Sequence, residues 1–168
     1  MSMRIYLIGY MGSGKSTLGR RLSKYLQVQF VDMDTYIEER NYKTIPQIFE
    51  EEGEAEFRLK ERKALEELSE FTDIVIATGG GAPCFFDNIE LMNKSGKTIY
   101  LNIDPDILDD RLINSKTERP LIKGKSKKEL VDFIDTTLRK RNEFYMKAKY
   151  QITQPDIELD VLKKMIAD

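Results

Sequence analysis

Short apolar runs recur along the chain, separated by longer stretches in which apolar residues are spaced more widely. "IYLI" at 5–8, "VQFV" at 28–31, "IVIA" at 74–77 and "TIYLNI" at 98–103 are nearly continuous, and "KYQI" at 149–152 is a weaker fifth. Runs that do not alternate apolar with polar positions predict strands covered on both faces, as in a parallel sheet. The intervening stretches repeat at helical spacing. Leu18, Leu22 and Leu26 recur every fourth residue, Phe57, Ala64, Leu65 and Leu68 form a second stripe, and Leu130, Ile134 and Leu138, with Thr137, a third. Strands alternating with helices predict an α/β three-layer fold around a parallel sheet, with right-handed crossovers.

Two stretches interrupt the alternation. From about 34 to 68 the chain holds two or three helical patterns and no strand, long for a single crossover. We expect a helical insert over one end of the sheet, at about 34–62. The second is "NSKTERPLIKGKSKK" at 114–128, rich in lysine and turn formers with little to pack. Its composition suits a moving lid, placed at about 114–126, and a disordered loop equally well.

Composition narrows the function. A chain of 168 residues is expected to form one domain, 1–168, burying about two thirds of its unfolded surface. A net charge of −2 argues against broad electrostatic binding to nucleic acid or anionic membrane. No apolar run is long enough for a bilayer, and "MSMRIYLIG" lacks a secretory h-region of adequate length. Cys84 is the one cysteine, so no internal disulfide can form, which suits a reducing compartment. The expectation is a cytoplasmic monomer without nucleic-acid or membrane partners. There is no histidine, and with one cysteine a His- or Cys-based zinc site is excluded. Acid–base chemistry must come from Asp, Glu, Lys or Tyr.

The strongest chemical signal follows the first apolar run. In "GYMGSGKST", Gly9, Gly14, Lys15 and Ser16 satisfy G-x-x-x-x-G-K-[ST] between a strand and an amphipathic helix. Glycines let successive N–H groups converge into an anion nest, and the helix adds its N-terminal partial charge. Gly12, Ser13, Gly14, Lys15, Ser16 and Thr17 are therefore candidates for the phosphates of a nucleotide, with Lys15 reaching the β/γ-phosphates and the Ser16 hydroxyl placed for Mg²⁺.

"FVDMD", 30–34, ends the second run with two carboxylates. In an extended segment Asp32 and Asp34 would lean the same way, and taken alone the pair reads as a helix N-cap. Beside a phosphate loop, with the second strand expected to end next to the first, Asp32 becomes a Mg²⁺ carboxylate. Asp34 then faces the phosphoryl acceptor. "ATGGGAP", 77–83, ends the third run, and Gly79, Gly80 and Gly81 let backbone approach a ligand closely. Without the phosphate loop it would read as a flexible turn.

These motifs together resemble the shikimate kinase family. "IGYMGSGKSTLGRRLSKYL" is similar to its phosphate loop and first helix, "FVDMDTYIEE" to its Asp-x-Asp strand end and "IPQIFEEEGEAEFRLKE" to its substrate-domain signature. "TGGGAP" matches its glycine triplet, "ERPL" its lid and "RNEFYMKAKY" its late Arg-x-x-x-Tyr helix. The resemblance implies ATP- and Mg²⁺-dependent phosphorylation of the shikimate 3-hydroxyl, a step toward chorismate and the aromatic amino acids. It also implies a five-stranded nucleoside-monophosphate-kinase-like fold. By matching positions, it places Asp34, Arg58, Gly80 and Arg141 against shikimate and Arg119 at the phosphates. Arg111 and the segment near Pro155 would flank the adenine.

The residues suit such a ligand on their own terms. An acid bearing hydroxyls calls for guanidinium forks and a carboxylate. Arg141 continues the Leu130, Ile134, Leu138 stripe, so it is expected to point inward, although a snorkelling helix-end arginine fits the same spacing. Arg58 could be an i,i+3 surface pair with Glu61; within the resemblance, Glu61 instead orients it. Lys15, Mg²⁺ and Arg119 are expected to meet the charge on the transferred group, and Asp34 to align the hydroxyl and take its proton. Lys116, Lys123, Lys125, Lys127 and Lys128 read as solvated charge, and Cys84 as a packing residue. Two rival readings are a kinase for gluconate or a nucleoside monophosphate, and a P-loop module that binds nucleotide without turning it over.

Overall fold

The computed structural model describes residues 3–114, 120–154 and 156–167. Strands and helices alternate along them as β1 (Arg4–Ile8), α1 (Lys15–Leu26), β2 (Gln29–Asp32), α2 (Met33–Asn41), α3 (Ile45–Leu68), β3 (Ile74–Ala77), α4 (Asn88–Ser95), β4 (Lys97–Leu101), α5 (Pro105–Ile113), α6 (Lys127–Tyr145), β5 (Tyr150–Ile152) and α7 (Leu159–Met165). The strands form one parallel sheet in the order β2-β3-β1-β4-β5. Each apolar run became a strand, within one or two residues of its expected ends.

The inner strands show why those runs are continuous. Ile5, Tyr6, Leu7 and Ile8 of β1 and Ile74, Val75 and Ile76 of β3 are all fully buried. One expectation is corrected. β2 does not lie beside β1, because β3 occupies that place. Composition explains the exchange. β3 is apolar throughout and can be covered on both faces, whereas "QFVD" of β2 starts with exposed Gln29 and is nowhere fully buried, so it fits an edge.

Helix α1 packs over β2 and β3 through buried Leu18 and Leu22. It approaches so closely that a β-carbon on Gly19 would lie 2.3 Å from the Phe30 ring. Between β2 and β3 the chain forms α2 followed by α3, tied together by Arg40 and Tyr36, which both donate to Glu67. Thr44 and Gln47 form a capping box at the start of α3, which breaks at Gly53 (φ 87°, ψ 170°) into two segments. The second segment buries Phe57, Ala64, Leu65 and Leu68, the stripe read from the sequence. A Ser126–Glu129 capping box starts α6, whose inward face carries Leu130, Ile134, Arg141 and Tyr145.

Candidate active site

Strand register gathers the site. Leu7 of β1 pairs with Ala77 of β3, which pairs with Asp32 of β2, while Ile8 pairs with Tyr100 of β4. The strands therefore finish on a common line, and the segments that follow them face one another at the sheet's carboxyl edge. Thr78 stitches two of these together, since its backbone N–H (3.1 Å) and its hydroxyl (2.8 Å) both donate to the Leu7 carbonyl.

The phosphate-loop sequence closes into a nest. Gly14 caps α1 in a left-handed conformation (φ 100°) that a side chain would strain. The Tyr10 carbonyl accepts from the Ser13 N–H at 3.1 Å and from Lys15 Nζ at 3.2 Å, and Lys15 Nζ also donates to the Gly9 carbonyl at 2.5 Å. Ser13 Oγ is buried with no hydrogen-bond partner. Residues Gly12 to Thr17, Asp32, Asp34, Thr78, Gly80 and Arg111 line a cleft of about 730 Å³. Arg111 reaches across it to donate to the Gly12 carbonyl at 2.7 Å.

Asp32 is the N-cap its sequence context suggested, and it stands beside Ser16. Oδ1 accepts from the Thr35 N–H at 3.2 Å as the N-cap of α2, and Oδ2 accepts from Ser16 Oγ at 2.6 Å. The shared extended segment is corrected. β2 stops at Asp32, so Asp34 stands in the first turn of α2 rather than one pleat further along a strand. The cap is the physical reason, because it starts the helix at Met33. Burial pushes the Asp34 carboxyl up to about 6, reinforced by the charge of Asp32 and opposed by Lys15.

A smaller pocket of about 110 Å³ adjoins the cleft, lined by Arg58, Glu61, Gly79, Gly80, Gly81 and Arg141. Met11, Asp34, Ile45, Gly80 and Pro120 border both spaces. The two arginines are held differently. Arg58 is clamped by carboxylates, donating from Nη1 to Glu61 at 2.9 Å and from Nε and Nη2 to Glu54 at 3.3 and 3.1 Å. Phe85 covers it at 4.2 Å. Arg58 and Glu61 are 5% and 1% exposed, so this is no surface pair. Burial pushes Glu61 up to about 7 against the pull of Arg58. Arg141 is 8% exposed and has no carboxylate within ion-pair distance among the described residues, and its Nη1 is buried without a partner.

The glycine triplet is a steric requirement. A β-carbon on Gly79 would lie 2.8 Å from Glu61 Oε2 and 3.0 Å from Asp34 Oδ1, and one on Gly81 2.7 Å from Arg58 Nη2. The Tyr145 hydroxyl fixes the middle of the triplet by donating to the Gly80 carbonyl at 2.5 Å.

Every described candidate residue thus borders one of two adjoining spaces. Arg119, Pro155 and Lys116 lie outside the described residues, as do residues 115–119 of the expected lid. Lys125 stacks on the Phe133 ring. Burial pushes the Cys84 thiol up to about 11, consistent with a packing role. Sequence reasoning missed the apolar wall of the smaller pocket, made by Met11, Phe49, Phe57 and Leu121. Met11 is a free position in its motif, and Phe57 stands out in the sequence only as part of a helical stripe and of the substrate-domain signature.

The family model described as shikimate kinase matches residues 11–167. The shikimate kinase of Bacteroides thetaiotaomicron is 51% identical over 156 residues, covering 93% of this chain and 89% of that one. A crystal structure of shikimate kinase from the same organism superposes with a TM-score of 0.93 and 46% identity, covering 100% of both chains. The shikimate kinase of Acinetobacter baumannii in complex with shikimate superposes at 0.87 with 33% identity, covering 99% of this chain and 94% of that one. Related along nearly its whole length, and carrying the phosphate nest, the aspartate pair and the two buried arginines at one sheet edge, the chain belongs to the shikimate kinase family.

Proposed function

We propose that this chain transfers the γ-phosphoryl group of Mg·ATP to the 3-hydroxyl of shikimate, giving shikimate 3-phosphate and ADP on the route to aromatic amino acids. The observation that carries the reading is Arg141, a buried guanidinium with an unpartnered N–H, facing a small pocket that opens beside Asp34 onto the phosphate cleft. A buried cation without a counter-charge is costly until an anion arrives, and the acid group of shikimate supplies one. The pocket's 110 Å³ suits a compact cyclic acid better than a nucleotide.

The phosphates rest on the N–H groups of Gly12 to Thr17, where the buried Ser13 hydroxyl gains the partner it otherwise lacks. Ser16 and Asp32 present hard oxygen ligands 2.6 Å apart, a fit for Mg²⁺, which when bound neutralises charge on the phosphates. Lys15, whose head already folds over the loop, meets the bridging and terminal phosphate oxygens. Arg111 stands at the mouth of the same cleft, toward the nucleoside.

In the smaller pocket Arg141 binds the acceptor's carboxylate, with Arg58 and the Gly79–Gly81 backbone completing its walls. Asp34 accepts a hydrogen bond from the 3-hydroxyl and aligns its oxygen with the γ-phosphorus. As the new P–O bond forms and the bond to ADP breaks, the hydroxyl proton passes to Asp34, late if the transition state is loose.

The test is ADP release from Mg·ATP alone and then with shikimate, gluconate and nucleoside monophosphates in turn. Stimulation by shikimate alone is expected, and stimulation by another acceptor or by none would overturn the reading. Asp34→Asn should keep ATP affinity and lose turnover by at least about a hundredfold, the lower range for a general base. Near-normal turnover would remove Asp34 from the mechanism.

A further inference from the structure

Tyr10 occupies a free position of the phosphate-loop motif, yet it is only 1% exposed. Its carbonyl is the shared acceptor for Ser13 N–H and Lys15 Nζ, so the backbone of this residue is part of the phosphate nest. Its ring lies on the other side, against Arg141, with the guanidinium carbon 5.4 Å from the ring centroid. Its hydroxyl is buried beside Thr137 and near Asp109, without a well-formed hydrogen bond. The hydroxyl therefore does not explain why a tyrosine-sized ring sits here. The ring's contact with Arg141 does.

The two arginines of the pocket sharpen the point. Glu54 and Glu61 hold Arg58 and occupy its donors. The same device on Arg141 would cancel the charge and occupy the donors that an incoming anion needs. An aromatic face orients a guanidinium through its π-surface and leaves the in-plane N–H groups open. Gly80 completes the arrangement from the third side. A β-carbon there would come within 3.3 Å of Arg141 Nη1 and 3.4 Å of the Met11 backbone N, so loop, triplet and arginine meet at one point.

We infer that Tyr10 is a positioning residue for Arg141, its ring fixing the guanidinium plane for the acceptor's carboxylate while its backbone belongs to the nucleotide site. The inference rests on the assignment of Arg141 to that carboxylate. The same residue thereby joins the two binding sites, so a shift of the phosphate loop moves the surface that supports Arg141.

A double-mutant cycle on the KM for shikimate tests both layers separately. Tyr10→Leu should raise that KM by about two- to thirtyfold, the span of cation–π contacts from exposed to desolvated, with kcat unchanged. Tyr10→Phe keeps the ring and should behave as the parent. In the Arg141→Ala background, Tyr10→Leu should add no further increase. Should Tyr10→Leu fail to fold by thermal melting, Tyr10→Met, unbranched and of similar reach, replaces it in the cycle. If Arg141→Ala leaves the KM for shikimate unchanged, the carboxylate assignment itself falls and this inference with it. If Arg141→Ala raises the KM but the Tyr10 effect is the same in both backgrounds, or falls on ATP and kcat instead, Tyr10 only supports the loop and the positioning role is overturned.

Discussion

Asp34 takes its chemistry from its surroundings rather than from its residue type. It is half-buried, stands beside a second carboxylate, and has Lys15 as partial compensation, so its proton is held to about pH 6 instead of the ordinary 3.8. A base must be ionised to accept the hydroxyl proton. We therefore expect kcat/KM for shikimate to fall about tenfold per unit as pH drops below about 6. A pH profile at saturating Mg·ATP reads this directly, and a plateau continuing to pH 4.5 would mean that Asp34 does not act as the base. Arg58 and Arg141 make the same point. One is a clamped wall and the other an open cation, because Glu54 and Glu61 lie one helical turn either side of Arg58 on its own helix.

At the scale of elements, the kink in α3 decides which side chains reach the pocket. Before Gly53 the helix carries Ile45, Pro46 and Phe49 to the rim, and after it Phe57, Arg58 and Glu61. The φ of 87° with ψ of 170° belongs to a region that only glycine adopts without strain. No atom lies within 4 Å of a β-carbon added there, so Gly53→Ala isolates the backbone effect from any clash. It should cost about 1–3 kcal/mol, seen as a lower urea midpoint at unchanged m-value. A stability equal to the parent would mean that the two helical segments can straighten freely.

Across the whole molecule, the absence of histidine leaves the range between pH 5 and 8 to a few displaced groups. Asp34 and Glu61 bind protons more tightly in the fold than in the unfolded chain, with values raised to about 6 and about 7. The sign is the reverse of a salt-bridged surface carboxylate. Their contribution is complete below the unfolded values of 3.8 and 4.5, and is lost as pH rises through about 6 and about 7. Glu52 and Glu67, lowered by their lysine and arginine partners, act only at more acid pH. Denaturant midpoints should therefore fall between pH 5 and 7.5, and Glu61→Gln should flatten part of that slope. A rising midpoint would show that the buried carboxyls are stabilised as anions. The ionised Asp34 that turnover requires is thus the less stable form, and activity climbs where stability declines.

Much of this protein can be read along one dimension, because the relevant forces are local. Strand runs such as "IYLI" are continuous when both faces are to be covered, amphipathic stripes repeat with the helix turn, and an anion nest is built from neighbouring residues. The phosphate loop, Asp32 as a cap and the inward face of α6 follow from spacing alone. What depended on tertiary structure is long-range. The edge position of β2 was settled by competition with β3 for the covered place beside β1. Asp34's side chain is displaced to pH 6 by burial that no neighbouring residue encodes. That Arg58 and Arg141 share one pocket comes from segments more than 80 residues apart meeting at the glycine triplet, Arg58 beside Gly81 and Arg141 beside Gly80 and Tyr10. Local pattern specifies elements, while charge, burial and partner choice depend on which elements pack together.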